Sequence, residues 1–83
     1  MAVRKYFCTF PQHLIKEPII SYTLHAKFGV VPNIRAATIN DQEALVAVEI
    51  QGSDDAIDHS VTYLRERGVS VEEILEGEDA PRP

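Results

Sequence analysis

Three histidines, one cysteine and two groups of carboxylates are the side chains here with the most obvious chemistry to offer. His13, His25 and His59 fall in a loop and on two helical stretches. None has a second histidine at metal-ligand spacing, and no cysteine adjoins them. His25 and His59 read as ordinary surface residues. Cys8 alternates with Tyr6 and Phe10, which puts it on the core side of a strand. A buried cysteine acts as a small hydrophobe, and nothing cationic beside it lowers its pKa. A single cysteine also excludes an internal disulfide and fits a reducing compartment. Asp54, Asp55 and Asp58 follow Ser53, a good N-cap, so they read as charges placed at the positive end of a helix. Glu76, Glu78 and Asp79 belong to a tail without apolar pattern, expected to be solvated. The sequence therefore predicts no catalytic residue, no metal set and no cofactor.

The most distinctive stretch is Gly29-Val30-Val31-Pro32-Asn33-Ile34-Arg35. A helix closes at glycine, the chain turns through proline, and an asparagine opens a strand. The Asn33 carboxamide has two uses: capping backbone groups at the junction, or offering a donor and an acceptor to a ligand or partner. Gly29 lets the backbone come close, and Val30 and Val31 would line an apolar slot. Arg35 has the parity of Asn33, so both should leave the sheet on one side. There Arg35 is either a solvated strand arginine or a partner for a carboxylate.

Elements that would position these residues follow from periodicity. Residues 3–10 alternate as a first strand, which Pro11 ends. Pro18 opens a three-turn helix whose stripe is Ile20, Leu24 and Phe28, closed by Gly29. A second strand runs from Ile34 to Ile39, a polar turn from Asn40 to Glu43, and a third strand to Ile50. The row Ile57, Val61, Leu64 marks a second helix capped by Gly68, and Val69 begins a fourth strand that runs to about Leu75. This order predicts an α+β, ferredoxin-like βαββαβ sandwich: a four-stranded antiparallel sheet with two helices on one face. Cys8, Phe10, Leu24, Phe28, Val46, Val48, Ile57, Val61 and Leu64 should form its core. The domain should occupy residues 1–76, with a disordered acidic and proline-bearing tail over 77–83.

At 83 residues the chain holds one small core. Eight cationic against thirteen acidic side chains leave a net charge of −5, which argues against general nucleic-acid binding. No apolar run approaches the roughly 20 residues needed to span a bilayer, and the start is no signal peptide. A soluble, cytoplasmic domain is expected. Several uses of the fold fail on their residues. Residues 11–17 contain no Cys-x-x-Cys for a metal chaperone and no arginine-bearing glycine loop for acyl phosphate. The central strands lack the aromatic pair that stacks RNA bases. A binding or regulatory module survives.

Glu17-Pro18-Ile19-Ile20-Ser21, Phe28-Gly29-Val30, Asn33-Ile34, Leu45 through Gly52, and Leu64 with Gly68-Val69-Ser70-Val71-Glu72 together resemble the NIL domain. The resemblance covers residues 4–75. Two positions depart from the family pattern: Arg35 replaces the leucine of the Asn-Ile-Leu triplet, and Glu73 stands where an apolar strand residue is usual. NIL domains are ferredoxin-like. They close the ATPase subunits of methionine ABC importers, where they dimerise and bind methionine as feedback sensors. Others are joined to iron–sulfur ferredoxin modules or stand alone. The resemblance thus implies a stand-alone homodimer that binds a small molecule, methionine or a related sulfur metabolite. It carries the family asparagine onto Asn33 and the next apolar residue onto Ile34. The candidate ligand-binding set is Gly29, Val30, Val31, Asn33, Ile34 and Arg35. The chain has neither a phosphate-binding loop nor cluster-ligand cysteines, so ATP hydrolysis and electron transfer do not reside in it. Two alternatives stand beside this reading. One is an interaction subunit of a sulfur-assimilation or ABC-transport complex without its own ligand. The other is an amino-acid sensor of the related ACT type. In either of the first two cases docking to a transporter or sulfur-assimilation protein is expected, without membrane insertion.

Overall fold

Burial alternates along β1 (Ala2–Pro11): Tyr6, Cys8 and Phe10 are buried, whereas Lys5, Phe7 and Thr9 are not. The computed structural model describes residues 1–75. In it β1 is a central strand of a sheet ordered β2-β3-β1-β4, with β2 spanning Val31–Ile39, β3 Glu43–Gly52 and β4 Ser70–Ile74. All neighbours are antiparallel. The register sets Tyr6 opposite Val48, Cys8 opposite Val46 and Phe10 opposite Ala44, so the buried residues of both central strands share one face. Two helices cover that face: α1 (Leu24–Phe28), entered through a π-helical turn at Ile19–Thr23, and α2 (Asp54–Glu66). The architecture is the expected ferredoxin-like βαββαβ sandwich.

Local chemistry explains α2. The Ser53 hydroxyl accepts from the Ala56 N–H at 3.1 Å, and Asp54 and Asp55 fill the first turn, as capping and the helix dipole favour. Ile57, Val61 and Leu64 are buried. So is Ser60, whose hydroxyl donates to the Ala56 carbonyl at 2.8 Å. Leu24 is fully buried, while Phe28 is only half-buried, with its ring edge-to-face against Tyr63 at 5.5 Å. The core also takes Tyr6, Leu14, Ile19, Ile20, Ile50, Val69 and Val71.

Several boundaries differ from the sequence expectation, and β3 runs two residues past Ile50 to Gly52. β1 runs on to Pro11, opposite Glu43, a terminal position where a missing donor is tolerated. The first helix is not three regular α-turns. Pro18 is the apex of an inverse γ-turn (φ −80°, ψ 58°), with the Ile19 N–H donating to the Glu17 carbonyl at 2.8 Å. The Pro18 carbonyl then accepts from both Tyr22 and Thr23 N–H, at 3.0 and 3.1 Å, which widens the turn to a π-helix. β2 begins at Val31, three residues earlier than expected, and is bulged between Ile34 and Ala36. β4 stops at Ile74, and Leu75 is exposed. The expected tail over 77–83, with the acidic group Glu76, Glu78 and Asp79 and the domain boundary after residue 76, lies outside the described residues.

Candidate functional site

β2 is an edge strand, and its helix-side residues Ile34 and Ile39 are left 48% and 63% exposed. The Leu14–Ser21 segment runs opposite and closes a cleft of about 250 Å³. Phe10, Ala44 and Val46 line its sheet side, Ile34 and Ile39 one wall, and Ile15 and Ile19 the other. Lys16, Glu17 and Ser21 are its polar lining. An apolar slot with a few polar groups suits a small ligand or one inserted side chain.

The segment that forms the far wall is held at three points. Leu14 and Ile19 are fully buried, the γ-turn fixes Pro18, and Glu17 is tied to the end of α2. Arg67 Nη2 donates to both Glu17 carboxylate oxygens, at 2.7 and 2.9 Å. Arg67 Nη1 donates to the Tyr63 hydroxyl at 3.0 Å, and the guanidinium lies 5.9 Å from the Tyr63 ring centre. Hydrogen bonding to Glu17, then to Tyr63, raises the Arg67 pKa. Sequence periodicity assigns no element to Gln12–Lys16, yet Gln12–Leu14 form a 3₁₀ turn that buries Leu14. The apolar pair Leu14-Ile15 between Pro11 and Pro18 was the available signal that it packs.

The six site residues expected from sequence do not converge. Gly29 caps α1 in the left-handed region (φ +71°), and its N–H donates to the His25 carbonyl at 2.9 Å. Val30 is a core residue with no exposure, so it lines no slot. A Cβ on Gly52 would sit 3.0 Å from its Cγ1, and the His25 Nδ1–H donates to its carbonyl at 3.0 Å. Val31 pairs with Gln51 and Asn33 with Glu49, which places both on the open face of the sheet. Ile34 pairs with Val48 and turns into the cleft. Arg35 is the unpaired residue of the bulge, and Ala36 takes the next open-face position opposite Ala47. Parity therefore does not carry from Asn33 to Arg35, because the bulge inserts one residue into the alternation. The backbone-capping asparagine is Asn40 instead: its Oδ1 accepts from Gln42 and Glu43 N–H at 2.7 and 3.0 Å.

A second, polar groove lies between α2 and β4. Arg4 is held by Asp54 at 2.8 Å and Asp58 at 2.7 Å, and Arg65 donates to the Val71 carbonyl at 3.0 Å. Burial raises the Tyr6 pKa, with the neighbouring Arg4 pulling it down. Glu73 pairs with Tyr6 on the helix side, and an inward charge on a short edge strand guards that edge against unwanted pairing. Burial pushes the Cys8 thiol up to about 12, against a small opposing effect of Arg65, so at neutral pH it stays protonated and poorly nucleophilic. Among the described residues no group of three His, Cys, Asp or Glu is placed to hold a metal ion. No helix among them is long and apolar enough to cross a membrane.

Three comparisons bear on this arrangement. An L-aspartate semialdehyde sulfurtransferase iron-sulfur subunit from Methanocaldococcus jannaschii is 39% identical over 74 residues, 89% of this chain and 54% of that protein. The chain thus spans about half the length of this relative. The crystal structure of the C-terminal domain of an ABC transporter ATP-binding protein from Enterococcus faecalis shares the fold. Its TM-score is 0.76 at 21% identity, over 88% of this chain and 84% of that one. The NIL domain profile matches residues 8–73, which take in the end of β1, all of β2 and β3, both helices and the residues that line the cleft. The chain belongs to the NIL domain family.

Proposed function

We propose that this domain is a non-catalytic regulatory module that takes a small sulfur-containing amino acid, methionine first, into the cleft between β2 and Leu14–Ser21. The cleft carries this reading: it is apolar along its length, polar at Lys16, Glu17 and Ser21, and open to solvent beside an uncovered edge strand. A thioether side chain is unbranched and apolar, and suits such a slot. Ile34 is the member of the Asn-Ile-Arg triplet that meets the ligand. Arg35 lies next to it, and Asn33 and Val31, on the open sheet face, serve self-association or a partner. The module acts in the cytoplasm as a homodimer docked to a transporter or a sulfur-assimilation protein. The relative's name ties a similar domain to sulfur transfer.

Calorimetric titration with L-methionine tests the reading. Wild type and Asn33→Ala should bind with similar affinity, while Ile34→Asp should bind at least tenfold more weakly. Equal affinity in wild type and Ile34→Asp would remove the cleft from consideration.

The relative's description as a subunit favours a second reading, in which the domain is an interaction subunit without a ligand. No response to any sulfur amino acid, together with co-purification of a specific partner lost in an open-face variant such as Asn33→Arg, would select it.

A further inference from the structure

We infer that Arg67 sets the charge selectivity of the cleft: by occupying Glu17 it makes the mouth cationic, so that the cleft reads a ligand's carboxylate and not its ammonium group. The inference rests on the cleft reading above and names what that site selects.

Among the described residues Glu17 is the sole acidic one lining the cleft, and left alone it would attract an ammonium. Both its oxygens are instead engaged by one guanidinium nitrogen of Arg67, a residue 50 positions away that does not line the cleft. Charge-assisted bonds of this length are strong for their class, and the Tyr63 hydroxyl and ring hold the same guanidinium from its other side. Lys16 also lines the cleft, and among the described residues it has neither an ion-pair nor a ring partner. Arg35, next to the cleft residue Ile34, is likewise unpaired. Asp41 shares the adjoining groove with Lys16 but lies beyond ion-pair distance. In a chain of net charge −5, the mouth of this cleft therefore carries positive charge that no described residue compensates. Such a site attracts a carboxylate and repels an amine.

Three probes share the same thioether tail: L-methionine, 3-(methylthio)propionate, which lacks the amine, and 3-(methylthio)propylamine, which lacks the carboxylate. Calorimetry on the whole chain should show wild type binding the acid within about threefold of methionine, and the amine at least tenfold more weakly. Arg67→Met frees Glu17. It should weaken the acid, strengthen the amine, and move the ratio of the two affinities by tenfold or more. Arg67→Lys, which keeps a cation beside Glu17, should restore most of the wild-type ratio. A purely structural role for Arg67 would weaken all three probes alike and leave the ratio unchanged. That result, or a wild type that binds the amine as well as the acid, overturns the inference while leaving the cleft as the ligand site. Binding of none of the three to wild type overturns both.

Discussion

Cys8 illustrates how one buried side chain sets a pH limit. Its thiol pKa is pushed from 9.0 to about 12 by burial, so the folded state favours the neutral form more than the unfolded chain does. The stabilisation is complete below pH 9 and is lost as the pH rises toward 12, because the unfolded state releases the proton first. By pH 10.5 this loss should reach about 2 kcal/mol. Urea unfolding at pH 8 and pH 10.5 checks it: Cys8→Ala should show a shallower decline than wild type, and parallel declines would mean other groups dominate. Two histidines that look alike in sequence also separate here. His25 clasps the Val30 carbonyl, so His25→Ala should cost about 1 kcal/mol. His59 is exposed, and its replacement by Ala should stay within about 0.5 kcal/mol. Leu24→Ala should cost about 2 to 5 kcal/mol through lost burial and a cavity. Chemical denaturation of the three variants would rank them, and an equal ranking would contradict the helix face described.

At the scale of elements, two glycines mark the α1–β2 junction for different reasons. Gly29 has φ +71°, and beyond its two chain neighbours no atom lies within 4 Å of an added Cβ, so Gly29→Ala should cost about 1 to 2 kcal/mol, chiefly as backbone strain. Gly52 has ordinary φ but sits against Val30. Gly52→Ala should be destabilising through crowding, and Val30→Ala should relieve that part. A double-mutant cycle checks the crowding: coupling is expected between positions 52 and 30. Absence of coupling at 52 and 30 would mean the strand end yields freely. The same junction delivers β2 to the sheet edge with Ile34 toward the cleft, so packing at Val30 and Gly52 indirectly sets the cleft wall.

For the whole molecule, 83 residues support a small core, and burial in a chain this size reaches only about 60% of the unfolded surface. A second copy on the open sheet face, where Val31 is exposed and Phe7 and Leu45 are half-buried, would add stability. Light scattering at tens of micromolar should give about twice the monomer mass of 9.3 kDa. A mass near that of one chain would count against the homodimer. Methionine at 100 times its dissociation constant should stabilise the fold by about 2.7 kcal/mol. For a domain of this length that shifts the melting temperature by about 10 to 20 °C, a change that a thermal-shift screen of amino acids reads directly.

The order of elements and the character of the core were legible in the sequence because they rest on short-range physics. Alternation of Tyr6, Cys8 and Phe10, the row Ile57, Val61, Leu64, the Ser53 cap and the left-handed stop at Gly29 each act within a few residues. The candidate site was different. Whether Asn33 and Arg35 share a face depends on the register of β2 against β3, and the bulge at Arg35 is defined only by the partner strand. Val30 looked like slot lining until Gly52, 22 positions on, covered it. The π-turn required the Pro18 carbonyl to serve two donors at once. The cleft itself exists because β2 lies at the sheet edge with Ile34 and Ile39 left exposed, and because Arg67 meets Glu17 across 50 residues. Contacts of that range leave no local periodicity in a sequence, so only the tertiary structure decided where a ligand has room to enter.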